Sequence, residues 1–300
     1  MAYVSQKEIV IIGAGLAGIC VAKNYLKHHP DKANDILLLD KGYYAGGRCS
    51  SRAVGTEKHL LDFGTFNAVL KEAFDLETKQ FESFKTARQV IQYLTKGLEI
   101  HTKKRVKTIT PKKQGWELTL DNNEIYFCKQ VIVTVPIPQA IEMLEHYFSH
   151  HCIDDKILHV LKSVHYDRAV SLMFADNAFI SIVEAHRDAL LKSSVRKIYT
   201  HDDQGIVLIL NALASLDYWD YSAHELAGIL FPDLPLSDDD PDIGIHRWKY
   251  AFCQNPLPTP ITLETDMTGL LPIRLFCDAI GAPSDVKTLI HAAEKMAATL

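Results

Sequence analysis

Gly13, Gly15 and Gly18 follow an apolar run with the spacing GxGxxG, and Asp40 closes the next apolar run roughly 20 residues later. The intervening residues are typical of a helix that ends before Pro30. In such a strand, turn, helix, strand unit, the turn and the helix N-terminus offer backbone N–H groups to phosphate. The acid accepts hydrogen bonds from ribose hydroxyls. The chemistry that this spacing indicates is the binding of a dinucleotide.

A second glycine-rich stretch follows the acid directly. Gly46 and Gly47 permit close approach of the backbone to a ligand, and the guanidinium of Arg48 can neutralise phosphate. A fold that binds only a nicotinamide dinucleotide has no evident use for this stretch, so it predicts a second contact with one long dinucleotide. The alternative is a surface loop with a solvated arginine.

Two further segments specify the type of dinucleotide fold. Residues 98–136 contain short strands with turns at PKKQG and DNN, and end in the apolar strand VIVTV. A β-ribbon in place of a helical crossover is typical of two-dinucleotide-binding flavoproteins. Near the C-terminus, a strand precedes Asp278, which is placed to contact a ribityl chain, and a helix begins near Ser284–Asp285. The N-terminus of this helix is suited to face an anionic part of the flavin ring. The alternative is a helix that only completes the sheet.

The pattern changes in the second half of the chain. Residues 169–183, 196–212 and 243–252 have the composition of strands in an antiparallel sheet, and residues 220–230 that of a helix with Ser222 near its cap. Such a sheet, inserted into a nucleotide-binding fold, commonly covers a flavin and forms the substrate pocket.

We therefore predict an α/β protein with an FAD-binding, Rossmann-like, two-dinucleotide-binding domain that has a β-ribbon crossover. An antiparallel-sheet α+β substrate domain is inserted into it. The predicted FAD-binding domain is discontinuous and comprises residues 1–70, 98–142 and 269–300. The predicted substrate domain comprises residues 71–97 and 143–268.

The substrate pocket is predicted from one strand and one loop. His246, Trp248 and Tyr250 share a face under the period-two alternation of a strand, and Phe66 lies in the segment LDFGTF. Core packing is an equally good explanation for Trp248 and Tyr250. Hydride transfer needs positioning and exclusion of water more than a base. His246 is therefore only a candidate for substrate contact, with a structural histidine as the alternative.

Composition excludes several other classes of protein. The chain has 300 residues and a net charge of -5 without a block of basic residues, which argues against nucleic acid and anionic membranes as partners. The apolar segment 9–22 is too short to span a bilayer. Six scattered cysteines favour a reducing cytoplasm. His146, His150 and Cys152 lack a distant second ligand pair, so no metal site is expected.

Taken together, these segments resemble the flavin-containing amine oxidase superfamily and, within it, the renalase-like branch. The matching segments occur in the family's order over nearly the whole chain: IVIIGAGLAG, LLLDKGYYAGGRCSSR, LDFGTF, GWELTL, VIVTVPIPQA, HRWKYA and LFCDAIGAPSDV. HRWKYA is the segment most particular to the renalase-like branch.

The resemblance implies noncovalent FAD, a small-molecule substrate and oxygen as the electron acceptor. Renalase-like enzymes oxidise aberrant dihydronicotinamide isomers of NAD(P)H, whereas other relatives oxidise amines. The residues expected to bind FAD are Gly13, Ala14, Gly15, Leu16, Ala17, Gly18, Asp40, Lys41, Gly46, Gly47, Arg48, Val106, Asp278 and Val286.

Two alternatives to an active flavin enzyme stay open. Cys277 stands where the family usually has glycine, and the segment after LDFGTFNA is short. A degenerate FAD-binding protein with altered or absent activity is the first alternative. A nicotinamide-only dehydrogenase is the second, although the β-ribbon and the stretch Gly46–Arg48 argue against it.

Overall fold

The computed structural model describes residues 2–74, 83–150, 155–202, 204–233, 237, 240–264, 270–279 and 285–300. The chain forms two compact units. Unit 1 comprises Met1–Gly47, Ile91–His165 and Cys253–Leu300, and unit 2 comprises Arg48–Val90 and Tyr166–Phe252. Residues 48–70, which the sequence assigned to the FAD-binding domain, lie in unit 2, and residues 143–165 lie in unit 1. The assignment of segments to FAD and to substrate stays a prediction.

The described strands are β1 Ala2–Ile12, β2 Ile36–Leu39, β3 Ser51–Val54, β4 His59–Asp62, β5 Ile100–His101, β6 Val106–Lys112, β7 Gly115–Leu120, β8 Glu124–Val133, β9 Tyr166–Phe174, β10 Val195–His201, β11 Gly205–Leu210, β12 Ile243–Cys253, β13 Ile261–Leu263 and β14 Ile273–Leu275. The described helices are α1 Leu16–His28, α2 Asn67–Ala73, α3 Ala87–Leu94, α4 Ile137–His150, α5 Asp155–Lys162, α6 Asn177–Ala185, α7 Arg187–Ser193, α8 Ala212–Asp217, α9 Ala223–Leu230 and α10 Val286–Ala297. A short 3-10 helix, Pro30–Asp35, follows α1.

Unit 1 is built on a sheet with the strand order β13-β14-β8-β1-β2-β5. β1 pairs in parallel with both β2 and β8, and β14 pairs in parallel with β8. Ile36–Leu39 is apolar and buried at every position, as expected for a parallel strand that is covered on both faces. The parallel dinucleotide-binding core that the sequence predicts is confirmed.

An antiparallel ribbon replaces the helical crossover before β8. β6 pairs with β7, and β7 pairs with the first half of β8. The second half of β8 instead pairs with β14. The ribbon is the feature that distinguishes this architecture from a fold with helices at every crossover, and its prediction from PKKQG and DNN is confirmed.

Unit 2 contains a four-stranded sheet with the order β10-β11-β9-β12 and the hairpin β3–β4. Alternate residues of β9 and β11 enter two different clusters, one with Leu172 and Leu208 and the other with Met173 and Val207. Both faces of these strands are therefore buried, which explains the continuous apolar run Gly205–Leu210.

Part of the segment 169–183, which the sequence predicts as strand, is a helix. Asn177–Ala185 forms α6 because the Asp176 side chain accepts a hydrogen bond from the Ala178 amide and caps the helix. Phe179 and Val183, four residues apart, are buried on one side of it. The prediction of a strand through residue 183 is wrong, whereas α9 with Ser222 as its N-cap is confirmed.

A buried carboxylate organises the segment that leads to α2 and α3. The Asp62 carboxylate, fully buried at the end of β4, accepts hydrogen bonds from Ser51 Oγ at 2.6 Å, from the Asn67 amide at 2.9 Å and from the Ala87 amide at 2.8 Å. Asn67 and Ala87 are the first residues of α2 and α3. Burial raises the pKa of Asp62, and the bonds that it accepts offset part of that cost. One side chain thus accepts a hydrogen bond from the first amide of each of two helices.

We expect Asp62→Asn to lower the free energy of unfolding by about 1–3 kcal/mol, because a buried N–H group loses its acceptor. The Ala87 amide lies within 3.0 Å of both carboxylate oxygens, so the new NH₂ group faces a donor in either orientation. The measurement is urea denaturation of the apoprotein.

Asp176→Asn is the matched control, because Asn and Asp cap helices equally well. Its free energy of unfolding should stay within about 0.5 kcal/mol of the wild type. Equal stability of both variants would show that the Asp62 network contributes nothing that an amide cannot supply.

Candidate functional site

The glycine-rich turn lies between β1 and α1. Gly13 has φ +107°, a conformation that favours glycine, and its amide donates to the Leu39 carbonyl at 2.8 Å. A Cβ atom at Gly15 would meet no atom within 4 Å, whereas one at Gly18 would lie 2.1 Å from the Gly13 carbonyl oxygen. Gly15 therefore borders open space, and Gly18 permits close packing. Buried Leu16, Ala17 and Gly18 form the first turn of α1.

The N-terminus of α1 is suited to an anion. In the described part of the chain, no side chain caps this helix, and its first turn contains no acidic residue. The amides of the first turn are therefore not satisfied by a side chain, and they carry the positive end of the helix dipole.

The loop after β2 packs on the glycine-rich turn. The Gly46 amide donates to the Ala14 carbonyl at 2.7 Å, and Gly15 and Gly46 form a parallel bridge. Gly47 has φ +56°, and a Cβ atom there would lie 3.3 Å from Gly15 Cα. The two glycine-rich stretches that the sequence singled out are therefore neighbours in space.

Asp40 joins these two stretches. Its Oδ2 atom accepts from the Ala14 amide at 2.7 Å, and its Oδ1 atom accepts from the Gly42 amide at 2.7 Å. A carboxylate oxygen has two lone-pair directions, so each still has one position for a ribose hydroxyl. The open space at Gly15, the uncapped helix and these acceptor positions fit a bound dinucleotide.

Four other predicted cofactor residues lie on different elements of unit 1. Lys41 is exposed next to Asp40, and Val106 is buried at the start of β6, paired with Leu120. Asp278 is half-buried beyond the end of β14, whose carboxyl end lies beside that of β8.

Val286 is the first residue of α10. The Asp285 side chain caps this helix by accepting from the Thr288 amide at 3.0 Å, and the hydrogen bonds from Thr288 lower the pKa of Asp285. The predicted Gly-Ala-Pro loop falls within residues 280–284, which lie outside the described residues.

Arg48 is the first residue of unit 2. Its Nη1 atom donates to the Ala251 carbonyl on β12 at 2.5 Å, and its own carbonyl accepts from the Thr65 amide at 2.8 Å. A Cβ atom at Gly64 would lie 2.1 Å from the Arg48 carbonyl oxygen. These contacts fix Arg48 within unit 2, and its contact with a pyrophosphate stays a prediction.

Three rings form a cluster in unit 2. The ring centroids of Phe63 and His246 are 4.5 Å apart, and those of His246 and Trp248 are 4.3 Å apart. The Trp248 indole N–H donates to the Phe63 carbonyl at 3.0 Å. We call these three residues the aromatic cluster.

The other two predicted pocket residues have different neighbours. Tyr250 packs edge-on against Tyr166, with centroids 5.7 Å apart, and buried Phe66 stacks on Tyr199. The sequence did not single out Phe63, although it lies within the segment LDFGTF. Its proximity to β12 depends on a long-range contact that no local pattern reveals.

His246 is partly buried near two arginines. Burial, and to a smaller extent electrostatic repulsion by Arg52 and Arg247, lower its pKa to about 4. Arg52 Nη1 donates to the Ile245 carbonyl at 3.0 Å, and Arg247 donates to the Trp219 and Tyr221 carbonyls. His246 is therefore neutral at physiological pH and a weak base.

Several other predictions concern metals, membranes and thiols. Within the described ranges, no three His, Cys, Asp or Glu residues are arranged to hold a metal ion; Cys152 and the side chains of His146 and His150 lie outside them. Among the described helices, none has the length and apolar character needed to cross a bilayer. Cys277 is a buried thiol.

Comparison with known proteins identifies the family. A family model described as flavin containing amine oxidoreductase matches residues 58–249, which is more than half of the chain. The chain belongs to this family. A model of the NAD(P)-binding Rossmann-like domain matches residues 11–77, which include the glycine-rich turn. This flavin amine oxidoreductase is thus an FAD-dependent oxidoreductase, as predicted.

Solved structures have the same fold. A putrescine oxidase variant from a redesign of cofactor binding has a TM-score of 0.65 at 11% identity, over 99% of both chains. A fatty acid isomerase from P. acnes has a TM-score of 0.63 at 13% identity, over 98% of both chains. Wild-type putrescine oxidase bound to putrescine has a TM-score of 0.55 at 12% identity, over 99% of both chains. No curated protein matches in sequence.

The low pKa of His246 predicts a pH dependence of stability. The folded-state pKa of about 4 lies below the ordinary value of 6.5, so the unfolded chain binds the proton more readily between these values. Wild-type stability should therefore fall as the pH decreases through this window. His246→Gln should lack this part of the decrease.

The measurement is the free energy of unfolding of both proteins at about pH 7.5 and about pH 5. The wild type should lose more stability than the glutamine variant over this interval. An equal loss in the two proteins would contradict a neutral, proton-excluding environment at His246.

Proposed function

We propose that this flavin amine oxidoreductase is renalase-like. It takes a hydride from a dihydronicotinamide-type or amine substrate onto noncovalently bound FAD, and oxygen is the final electron acceptor. The five described cysteines are buried thiols, which agrees with our proposal of a reducing cytoplasm.

The observation that carries the choice of substrate is the aromatic cluster with its weakly basic histidine. A protonated amine must lose a proton before it can donate a hydride. A dihydropyridine donates a hydride directly, because the hydrogen leaves with both electrons of the C–H bond and an aromatic pyridinium remains. His246, with a pKa of about 4, is poorly suited to take the amine's proton. The cluster therefore favours the dihydropyridine.

Charge supports the same choice. The charged groups that act on His246 within the described residues are the cations Arg52 and Arg247. A positive environment disfavours a cationic amine and favours a substrate that carries phosphate. Phe63 and Trp248 stack on each other with ring centroids 5.4 Å apart, so the aromatic cluster is apolar and planar, which suits a planar dihydropyridine ring better than a flexible amine.

The proposed FAD site consists of the residues that the sequence predicted. FAD, when bound, supplies the hydride acceptor. The turn of Gly13, Ala14 and Gly15 and the N-terminus of α1 would hold the diphosphate, and Asp40 would accept from the ribose. Lys41, Gly46, Gly47, Arg48, Val106, Asp278 and Val286 complete the proposed set.

The test is the visible absorption spectrum of the purified protein during anaerobic additions. We expect flavin bands that bleach with isomeric dihydronicotinamides and return with air. Bleaching by simple amines alone would overturn the preference for a dihydropyridine and make the protein an amine oxidase. Bands that no substrate bleaches would favour the degenerate FAD-binding protein, for which Cys277 in place of glycine is the sequence argument.

Gly15→Val tests the position of the diphosphate. The open space next to Gly15 accepts a side chain, so the apoprotein should fold, but the two methyl groups would fill the proposed diphosphate position. We expect the dissociation constant for FAD to rise at least about 100-fold, measured by titrating the apoprotein.

Gly228→Val is the matched control in α9, since a Cβ atom there also meets no atom within 4 Å. It should leave FAD affinity unchanged. Tight FAD binding by the Gly15 variant would show that the diphosphate lies elsewhere.

A further inference from the structure

Thr134 is a buried polar residue at the carboxyl end of the sheet in unit 1. It follows the last residue of β8 directly, and its amide donates to the carbonyl of Ile12, the last residue of β1, at 2.8 Å. The residue therefore lies beside the start of the glycine-rich turn. The proposed FAD-binding set does not include it.

The Thr134 hydroxyl lies against the two outer glycines of the turn. Its Oγ1 atom donates to the Gly13 carbonyl at 2.8 Å and approaches the Ile12 carbonyl at 3.1 Å. The same atom would lie 2.9 Å from a Cβ atom at either Gly13 or Gly18. The absence of side chains at these two positions leaves the space that the hydroxyl occupies.

Thr134 and Asp40 bind the two polar groups of the same peptide. The peptide between Gly13 and Ala14 has its C=O bonded to Thr134 Oγ1 and its N–H bonded to Asp40 Oδ2 at 2.7 Å. Gly13 has φ +107°, and glycine adopts many other conformations at little cost. The conformation of the turn therefore depends on partners outside it.

We propose that Thr134 is a positioning residue for FAD, since its hydroxyl, together with Asp40, fixes the Gly13–Ala14 peptide and with it the position of Gly15 and the α1 N-terminus, which would hold the diphosphate. This inference rests on the proposed FAD site at the glycine-rich turn. Without the hydroxyl, the Gly13 carbonyl is buried with one partner fewer, and only the bond to Asp40 holds the orientation of the peptide. FAD binding would then have to restore its orientation, at a cost in affinity.

The experiment compares Thr134→Val, which has nearly the same shape and no hydroxyl, with Thr134→Ser, which keeps the hydroxyl and lacks the methyl group. Two quantities are measured for each apoprotein: the dissociation constant for FAD, from a titration followed by flavin fluorescence, and the free energy of unfolding in urea. Thr134→Ala replaces the valine variant if that variant does not fold.

Thr95→Val is the matched control. The Thr95 hydroxyl also donates to backbone carbonyls, those of Ile91 and Gln92 at 3.0 and 3.2 Å, but it lies in the chain segment that follows α3. Loss of this hydroxyl should leave the dissociation constant for FAD unchanged.

We expect the valine variant to bind FAD on the order of tenfold more weakly than the wild type, and the serine variant to bind within about threefold. A valine variant that is less stable as apoprotein yet binds FAD like the wild type would overturn the positioning role. So would equal losses of affinity in the serine and valine variants, because the methyl group would then be responsible.

The Gly15→Val variant separates this inference from the proposed FAD site. If that variant binds FAD tightly, the site itself is misplaced. If it loses FAD while Thr134→Val does not, the site is supported and only the role of Thr134 fails.

Discussion

The carboxylate of Asp40 is the interaction on which the dinucleotide-binding end of unit 1 depends. Two backbone amides, those of Ala14 and Gly42, converge on its two oxygens. One bond fixes the turn after β1 and the other fixes the loop after β2. The loop after β2 in turn places Gly46 and Gly47 against the glycine-rich turn that follows β1. An acidic residue that the motif assigns to ribose thus also fixes the backbone of both glycine-rich stretches.

Unit 2 uses the same principle at another strand end. The Asp62 carboxylate satisfies the first amides of α2 and α3, and the next residue, Phe63, has a carbonyl that accepts from both Ser171 Oγ and the Trp248 indole. Because buried polar groups need partners, these bonds leave the segment few alternative conformations. The aromatic cluster is therefore held by hydrogen bonds as well as by ring packing.

Local patterns predicted the features that depend on local chemistry. The glycine spacing, the apolar parallel strands and the turns of the ribbon are short-range signals, and the structure contains each of them. The apolar residues of Asn177–Ala185 also suit a sheet, so the sequence predicts a strand over most of this segment. The segment is a helix because the Asp176 side chain caps its N-terminus. Thr134, Asp62 and Phe63 were missed because their roles arise from partners distant in sequence. A threonine that ends an apolar strand has no pattern of its own until the turn beside it is known.

The uncapped N-terminus of α1 has a consequence for the life of the protein in a cell. In the proposed FAD site, the diphosphate would take the place of the missing cap and accept hydrogen bonds from the first amides of the helix. A ligand that binds only the folded chain stabilises it in proportion to the logarithm of its concentration. When FAD is scarce, a larger share of the chains would therefore be in the less stable apo form, which proteases degrade more readily.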